Sequence, residues 1–359
     1  MLSKKYTKIK YLNLKNNNSI IDWLNNNNIS HTPNFEIKKK SWLKAGGIAE
    51  VCIHPENAED ISKIIKYLKS EESDFYPVGN ITNTLFRDGL IKTPLINLKK
   101  IKNPIKLENE NLNHFSIKVS SGLTIFKYVT YLQKNFNFSG QEGLIGIPGT
   151  IGGAIFTNAS SYGSCISDFL TKVEFIDHNG IVNILSKDET KFGWRTSIFH
   201  KMSKFLILNV YFNFPKSNVK NFDEIEKKVE EIRSHRHKFQ ENKLPNLGSL
   251  YATKNLYKDL SKLSIIFFIL YSINIIGTKL IYLFFKETKL LSFRKYIGKL
   301  YCSYFGINSL KYSLSEKTIN CLVNKGSIEA SNAFDLVEKL EKKIKRRINL
   351  ENILLKDIK

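Results

Sequence analysis

Cysteine is scarce: Cys52, Cys165, Cys302 and Cys321 are the four in 359 residues, far apart and with no CxxC pair. That excludes a disulfide framework and a structural zinc site, suits a reducing compartment and leaves no metal expected. Arginine is almost as scarce, seven of the 55 basic side chains, so the net charge of +22 is carried by lysines spread along the chain beside abundant Asn and Ile. Base readout and phosphate forks favour arginine. With no helix-turn-helix, zinc-finger or RNA-binding signature, no nucleic-acid partner is expected. The first residues, MLSKKYTKIKYLNLKNNNS, contain no unbroken apolar stretch, so no secretory signal is expected and the location read from the sequence is cytoplasmic. The remaining composition is that of a globular protein, 42% hydrophobic and 25% charged, at a length that accommodates two or three subdomains.

Glycine is concentrated instead. Gly143 to Gly163 reads GLIGIPGTIGGAIFTNASSYG, six glycines and one proline in 21 residues. Each glycine costs roughly 0.5–1 kcal/mol relative to alanine inside a regular element. The run therefore suits a backbone that bends sharply and offers unshielded N–H groups to a flat or phosphorylated ligand. A tight buried turn is the plainer reading. A second glycine-bearing turn, Gly79-Asn80-Ile81-Thr82-Asn83, follows a short strand at Phe75–Val78, where small polar residues can donate to a phosphate.

Residues 1–34 are polar and Asn-rich and read as a loosely attached extension with one short helix near Ser19–Leu24. A turn at Gly46-Gly47 then leads into a strand over Ala49–His54. Ile61, Ile64, Ile65 and Leu68 have the spacing of an amphipathic helix over Asn57–Ser70. Strands are expected at Leu95–Leu98, Phe115–Val119, Val173–Ile176 and Phe205–Phe212, and helices at Thr124–Lys134, Asn221–Arg236 and Asn332–Ile344, ahead of a last strand at Ile348–Leu355. Interleaved βα and ββ units make the fold class α+β.

GNITNTLFRDG, GIPGTIGGAIFTNASSYG, LSKDETKFGWRTSIF, PNLGSLY and LSEKTINCLVNKG, in that order, resemble the UDP-N-acetylenolpyruvoylglucosamine reductase family. The resemblance runs over Ser41–Arg236, Pro245–Tyr251 and Leu314 to the end. It implies a two-part FAD-binding module of the PCMH type (35–105 and 106–216) and a substrate domain (217–359). It also implies reduction of the flavin by NADPH and hydride delivery to the enolpyruvyl group of a nucleotide sugar, in peptidoglycan precursor synthesis. FAD would be cradled by Gly79, Asn80, Ile81, Thr82 and Asn83 and by Gly146, Ile147, Pro148, Gly149, Thr150, Gly152 and Gly153. Ser249 maps to the proton-donating serine and Arg195 to the arginine that steadies the enolate, while Asn158, Tyr162 and Asn320 map to substrate contacts. The chemistry is coherent in itself, since hydride addition to an enol ether conjugated with a carboxylate calls for a fixed guanidinium and a nearby hydroxyl.

The chain departs from the family at Ile81 and Thr82, where a glycine and a serine are usual, at Trp194 for tyrosine, and at Thr318 for histidine. In the closing Leu350-Glu351-Asn352-Ile353, isoleucine occupies the position of the catalytic glutamate. Glu351 lies two residues away on the same face of a strand, about 6–7 Å along it, and a one-residue slip would bring it into service as the catalytic carboxylate. Residues 255–310 have no close family counterpart. Ile265–Phe285 is apolar and long enough to span a bilayer, and Leu290–Phe305 reads as a helix with one apolar face. A helical hairpin packed on the domain or between subunits is expected, ahead of peripheral membrane attachment through 265–305, with true spanning last. Three activities stay open: the family's reduction, a related FAD oxidoreductase acting on another sugar derivative, and a catalytically impaired flavin-binding or membrane-associated homologue.

Overall fold

The structure is a computed structural model that describes residues 18–285, 289–307 and 311–358. A first sheet pairs His31–Glu36 antiparallel to Ile48–Ile53; Leu95–Ile96 and Tyr76–Pro77 continue it in parallel, and Leu90–Ile91 joins Ile48–Ile53. Helix Ala58–Ser70 covers this sheet. Asn57 starts it by accepting from the Asp60 N–H, and Ile61, Ile64, Ile65 and Leu68 are the face it buries. The second sheet is five antiparallel strands, in the order Val182–Ser186, Leu170–Asp177, Phe205–Pro215, His114–Ser120 and Ile105–Glu110. Helices Ile125–Phe136, Ile151–Thr157 and Phe222–Phe239 pack on it around a phenylalanine-rich core that includes Phe115, Phe138, Phe212 and Phe214.

The chain from residue 18 to 34 is not a loose extension. Leu24 and Ile29 are fully enclosed with Val51 and Ile64, and His31–Glu36 is a sheet strand, so apolar burial and ladder hydrogen bonds hold this segment despite its asparagines. Residues 1–17 lie outside the described residues. Other elements differ at their ends: Leu98 opens a single 3-10 turn capped by Asn97, and the closing strand is Ile353–Leu355.

A third unit carries the three-stranded sheet Asn246–Ser249, Cys321–Asn324 and Tyr312–Leu314 with helix Ser331–Ile344. The insertion between its strands is the expected hairpin, helices Ile265–Phe285 and Leu290–Phe305. Gly277 allows their close contact, because a Cβ there would sit 2.2 Å from the Phe293 ring. Phe267, Ile297, Tyr301 and Phe305 root the hairpin in the third core. The strands on either side of the insertion, Asn246–Ser249 and Tyr312–Leu314, both pair with Cys321–Asn324, so both ends of the hairpin leave from the same sheet, as two passes of one excursion.

The units are not independent. Leu43, Ala45 and Leu85 of the first belong to the core of the third, and Ile353–Leu355 pairs in parallel with Thr84–Phe86. Gly122 sits so close to the first unit that a Cβ would lie 2.0 Å from the Leu98 carbonyl oxygen. The three units therefore enclose a common space.

Candidate active site

That space is a cavity of about 1570 Å³, larger than the roughly 300–1,000 Å³ of an ordinary small-molecule pocket and of a size for more than one ligand. All twelve residues of the two expected cradle segments line it, as do Ser249, Arg195, Glu351 and Asn320.

The two glycine-bearing turns are locked together. Asn80 Nδ2 donates to the Pro148 carbonyl at 2.6 Å, and a Cβ on Gly79 would meet Thr150 Oγ1 at 2.5 Å. The N–H groups of Gly79, Asn80, Ile81 and Thr82 have no backbone carbonyl partner among the described residues. Asn80 Oδ1 is buried with no partner there either. Consecutive free N–H groups beside a glycine face form a concavity suited to an anion, so this cradle fits the diphosphate of FAD. Ile81, at the position of a family glycine, has φ +51°, in the left-handed region that a β-branched residue avoids. It is held there by burial against Phe35, Ile37 and Phe86 and by its carbonyl, which accepts from the Trp42 N–H at 3.0 Å.

Ser249 reaches the cavity through an irregularity in its strand. The register against Cys321–Asn324 shifts between Asn246 and Ser249, Gly248 takes φ +69°, and Asn246 Oδ1 accepts from the Gly248 N–H. Such a bulge re-aims the following side chain, and Ser249 is exposed to the cavity. Asn320 lines the cavity too, but its amide is committed to the Tyr251 N–H at 2.8 Å and the Tyr251 carbonyl at 3.0 Å. It pins the segment that follows Ser249.

Arg195 sits with Trp194 at the tip of a two-residue turn closed by Gly193 and Thr196, at φ +54°. A strained non-glycine residue at a cavity wall is the pattern of a functional site. Asn158 does not line the cavity. Left-handed at the end of helix Ile151–Thr157, it donates to the Gly193 carbonyl at 2.9 Å and so supports the arginine turn from behind. Tyr162 is also outside the lining; its hydroxyl bonds His235 Nδ1 and its ring lies 4.7 Å under Arg236. Beside it Arg236 does line the cavity, held by the Gly143 carbonyl and Ser161 Oγ. The sequence reading missed it, although a basic last turn on an amphipathic helix could have flagged it.

Glu351 makes an ion pair with Arg195, Oε1 to Nε at 3.4 Å, and both side chains are mostly enclosed. Burial raises the Glu351 carboxyl above its ordinary range, and the guanidinium only partly offsets this. The Glu351 N–H donates to the Leu250 carbonyl and Ile353 begins the closing strand, so Glu351 lies just ahead of that strand, and its carboxylate is the one beside Arg195. The buried amide of Asn352 holds the register, since Nδ2 contacts Asn83 Oδ1, the Leu247 carbonyl at 3.0 Å and the Ser249 carbonyl at 3.1 Å. No local motif marks this residue.

A sequence model of the FAD binding domain matches residues 49–186. The chain is 32% identical over 218 residues to the UDP-N-acetylenolpyruvoylglucosamine reductase of Caldanaerobacter subterraneus subsp. tengcongensis, covering 61% of this chain and 68% of that one. It is 26% identical over 333 residues to the reductase of the same name from Clostridium tetani, covering 93% and 92%. Among solved structures, the UDP-N-acetylenolpyruvylglucosamine reductase of Thermus caldophilus shares the fold, with a TM-score of 0.62 at 20% identity over 91% of this chain and 98% of that one.

Asn352→Ala removes the donors to three acceptors, of which the Leu247 carbonyl contact is fully buried, and a buried acceptor left unsatisfied costs about 1–3 kcal/mol. Denaturant unfolding is expected to show a loss of at least that size together with weaker flavin retention. Asn352→Asp, which lacks the donors, is expected not to rescue it. Unchanged stability in both variants contradicts the role given to this amide.

Proposed function

Because this chain belongs to the UDP-N-acetylenolpyruvoylglucosamine reductase family, we propose that it reduces UDP-N-acetylenolpyruvoylglucosamine to UDP-N-acetylmuramate, with FAD as cofactor and NADPH as reductant. The product feeds peptidoglycan precursor synthesis, and the site of action is the cytoplasm. The observation that carries the assignment is the Arg195–Glu351 pair, in the same cavity as Ser249 and the anion cradle.

When bound between the two glycine-bearing segments, FAD would supply the hydride-transfer chemistry that links NADPH to the enolpyruvyl double bond. The protein does the rest. The backbone N–H groups of the Gly79–Asn83 turn and the glycine-rich segment across from it hold the cofactor's diphosphate. Arg195, fixed by its turn and by Glu351, stabilises the charge that develops on the substrate carboxylate as the enolate forms. Ser249 gives its hydroxyl proton to the neighbouring carbon. Glu351, shifted toward its protonated form, can lend a proton to the carboxylate oxygen on which that charge gathers.

Purified protein is expected to be yellow, to lose its visible flavin band with NADPH, and to regain it on addition of the enolpyruvyl substrate. Ser249→Ala and Arg195→Lys should each slow that recovery on the order of 10²-fold while flavin content is unchanged. Bleaching without recovery would point to another sugar derivative, and colour that NADPH never bleaches would contradict the reductase reading.

The outer face of the hairpin supports a second, separate reading. Ile265–Phe285 is the one helix among the described residues long and apolar enough to cross a membrane, and little of it is buried. Leu283, Phe284 and Ile265 are each at least 70% exposed. Lys262, Lys289, Lys295 and Lys299 surround it in a chain of net charge +22. A second copy would bring like charge to this face, whereas an anionic bilayer complements it. The hairpin is read as a peripheral contact with an anionic membrane surface. Sedimentation with phosphatidylglycerol vesicles should carry the protein down, and phosphatidylcholine vesicles should not. A dimer by light scattering with no vesicle binding would assign the face to self-association instead.

A further inference from the structure

The helix Ile265–Phe285 is built inside out. Its apolar side faces outward, while Tyr271, Asn274, Thr278 and Lys279 line the cavity that contains Ser249, Arg195 and Glu351. An ordinary surface helix does the reverse and turns its polar face to water. The spacing of the four residues keeps them on one side of the helix. Arg294 of the second hairpin helix lines the same wall, its guanidinium 4.6 Å over the Phe239 ring. Lys317 faces the cavity from the sheet, its ammonium bonded to the His237 carbonyl and Asn242 Oδ1. Nearby carboxylates are engaged elsewhere, Asp259 with Lys262, Glu316 with Lys295 at 3.9 Å, and the cavity-lining Glu241 with Ser315 Oγ. Among the described residues, Lys279 and Arg294 therefore have no carboxylate partner.

Two uncompensated cations with hydroxyl and amide groups beside them, on the wall of a ligand cavity, match a diphosphate ester. We infer that the inserted hairpin is a diphosphate clamp over the substrate half of the cavity, with Lys279 and Arg294 supplying charge and Tyr271, Asn274 and Thr278 supplying hydrogen bonds. This rests on the reductase reading and adds to it a part made from residues that have no family counterpart. It also gives the hairpin one orientation, polar stripe inward and apolar side outward. A diphosphate reaches this cavity from two sources, the nucleotide sugar and NADPH, and the chemistry of the wall is the same for both.

The test uses the full-length, FAD-loaded protein and compares wild type, Lys279→Ala and Lys279→Arg, with UDP and NADP+ as calorimetric probes and steady-state KM and kcat for both substrates. Lys279→Ala is expected to weaken UDP binding about tenfold, the scale of one charge-assisted hydrogen bond. The KM of the nucleotide sugar should rise in step, kcat should stay within about twofold, and Lys279→Arg should recover most of the affinity. If NADP+ affinity falls and UDP affinity does not, the clamp serves the reductant. Wild-type affinity for both probes in Lys279→Ala overturns the clamp while the reductase reading stands. A wild-type protein that turns over neither substrate overturns the reductase reading itself. Should Lys279→Ala lose flavin, Thr278→Val decides in its place, and unchanged affinity for both probes again overturns the clamp.

Discussion

The site depends on the return of the last strand to the first unit. Ile353–Leu355 pairs with Thr84–Phe86 in parallel, directly after the Gly79–Asn83 turn. One residue earlier, the Asn352 amide ties that turn to the backbone on which Ser249 sits. One residue earlier again, Glu351 meets Arg195. Three consecutive residues thus join the first unit, the third unit and the arginine turn of the second. Ser249, Arg195 and the cofactor cradle come from segments far apart in the chain, and this short closing segment puts them in register.

The same region stores cost. Ile81 and Arg195 both lie at positive φ, and Glu351 is enclosed where its charged form is disfavoured. A carboxyl whose folded pKa is raised binds more protons folded than unfolded. Stability therefore falls as pH rises from the ordinary carboxylate range through the raised value. Tolerance of this cost, around an otherwise well-packed structure, fits a group kept for chemistry. The surrounding cores, with Leu43, Ala45 and Leu85 shared between the first and third units, offset it by burying apolar surface across the junctions.

Much of the framework was legible because its signals are local. The helix at Ala58–Ser70 follows from Ile61, Ile64, Ile65 and Leu68, and the two glycine-bearing turns from their composition. Ser249 and Arg195 were reachable through motifs of seven and fifteen residues. What was not legible is long-range. The N-terminal asparagines hid the packing of Leu24 and Ile29, since their partners Val51 and Ile64 lie well downstream. The support that Asn158 gives the Gly193 carbonyl joins residues 35 apart in the chain and has no local signal either. Asn352 carries no motif, because its importance lies in carbonyls about a hundred residues away in sequence. The inward polar stripe of the inserted helix was masked by the overall apolarity of its sequence.

The central proposal is that Glu351 serves as the catalytic carboxylate in place of the glutamate for which Ile353 stands. Rapid-mixing measurement of flavin re-oxidation by the enolpyruvyl substrate in Glu351→Gln tests it most directly, with thermal unfolding alongside. The account predicts re-oxidation slower by on the order of 10²-fold, at undiminished stability above the carboxylate range. Re-oxidation at the wild-type rate would contradict it.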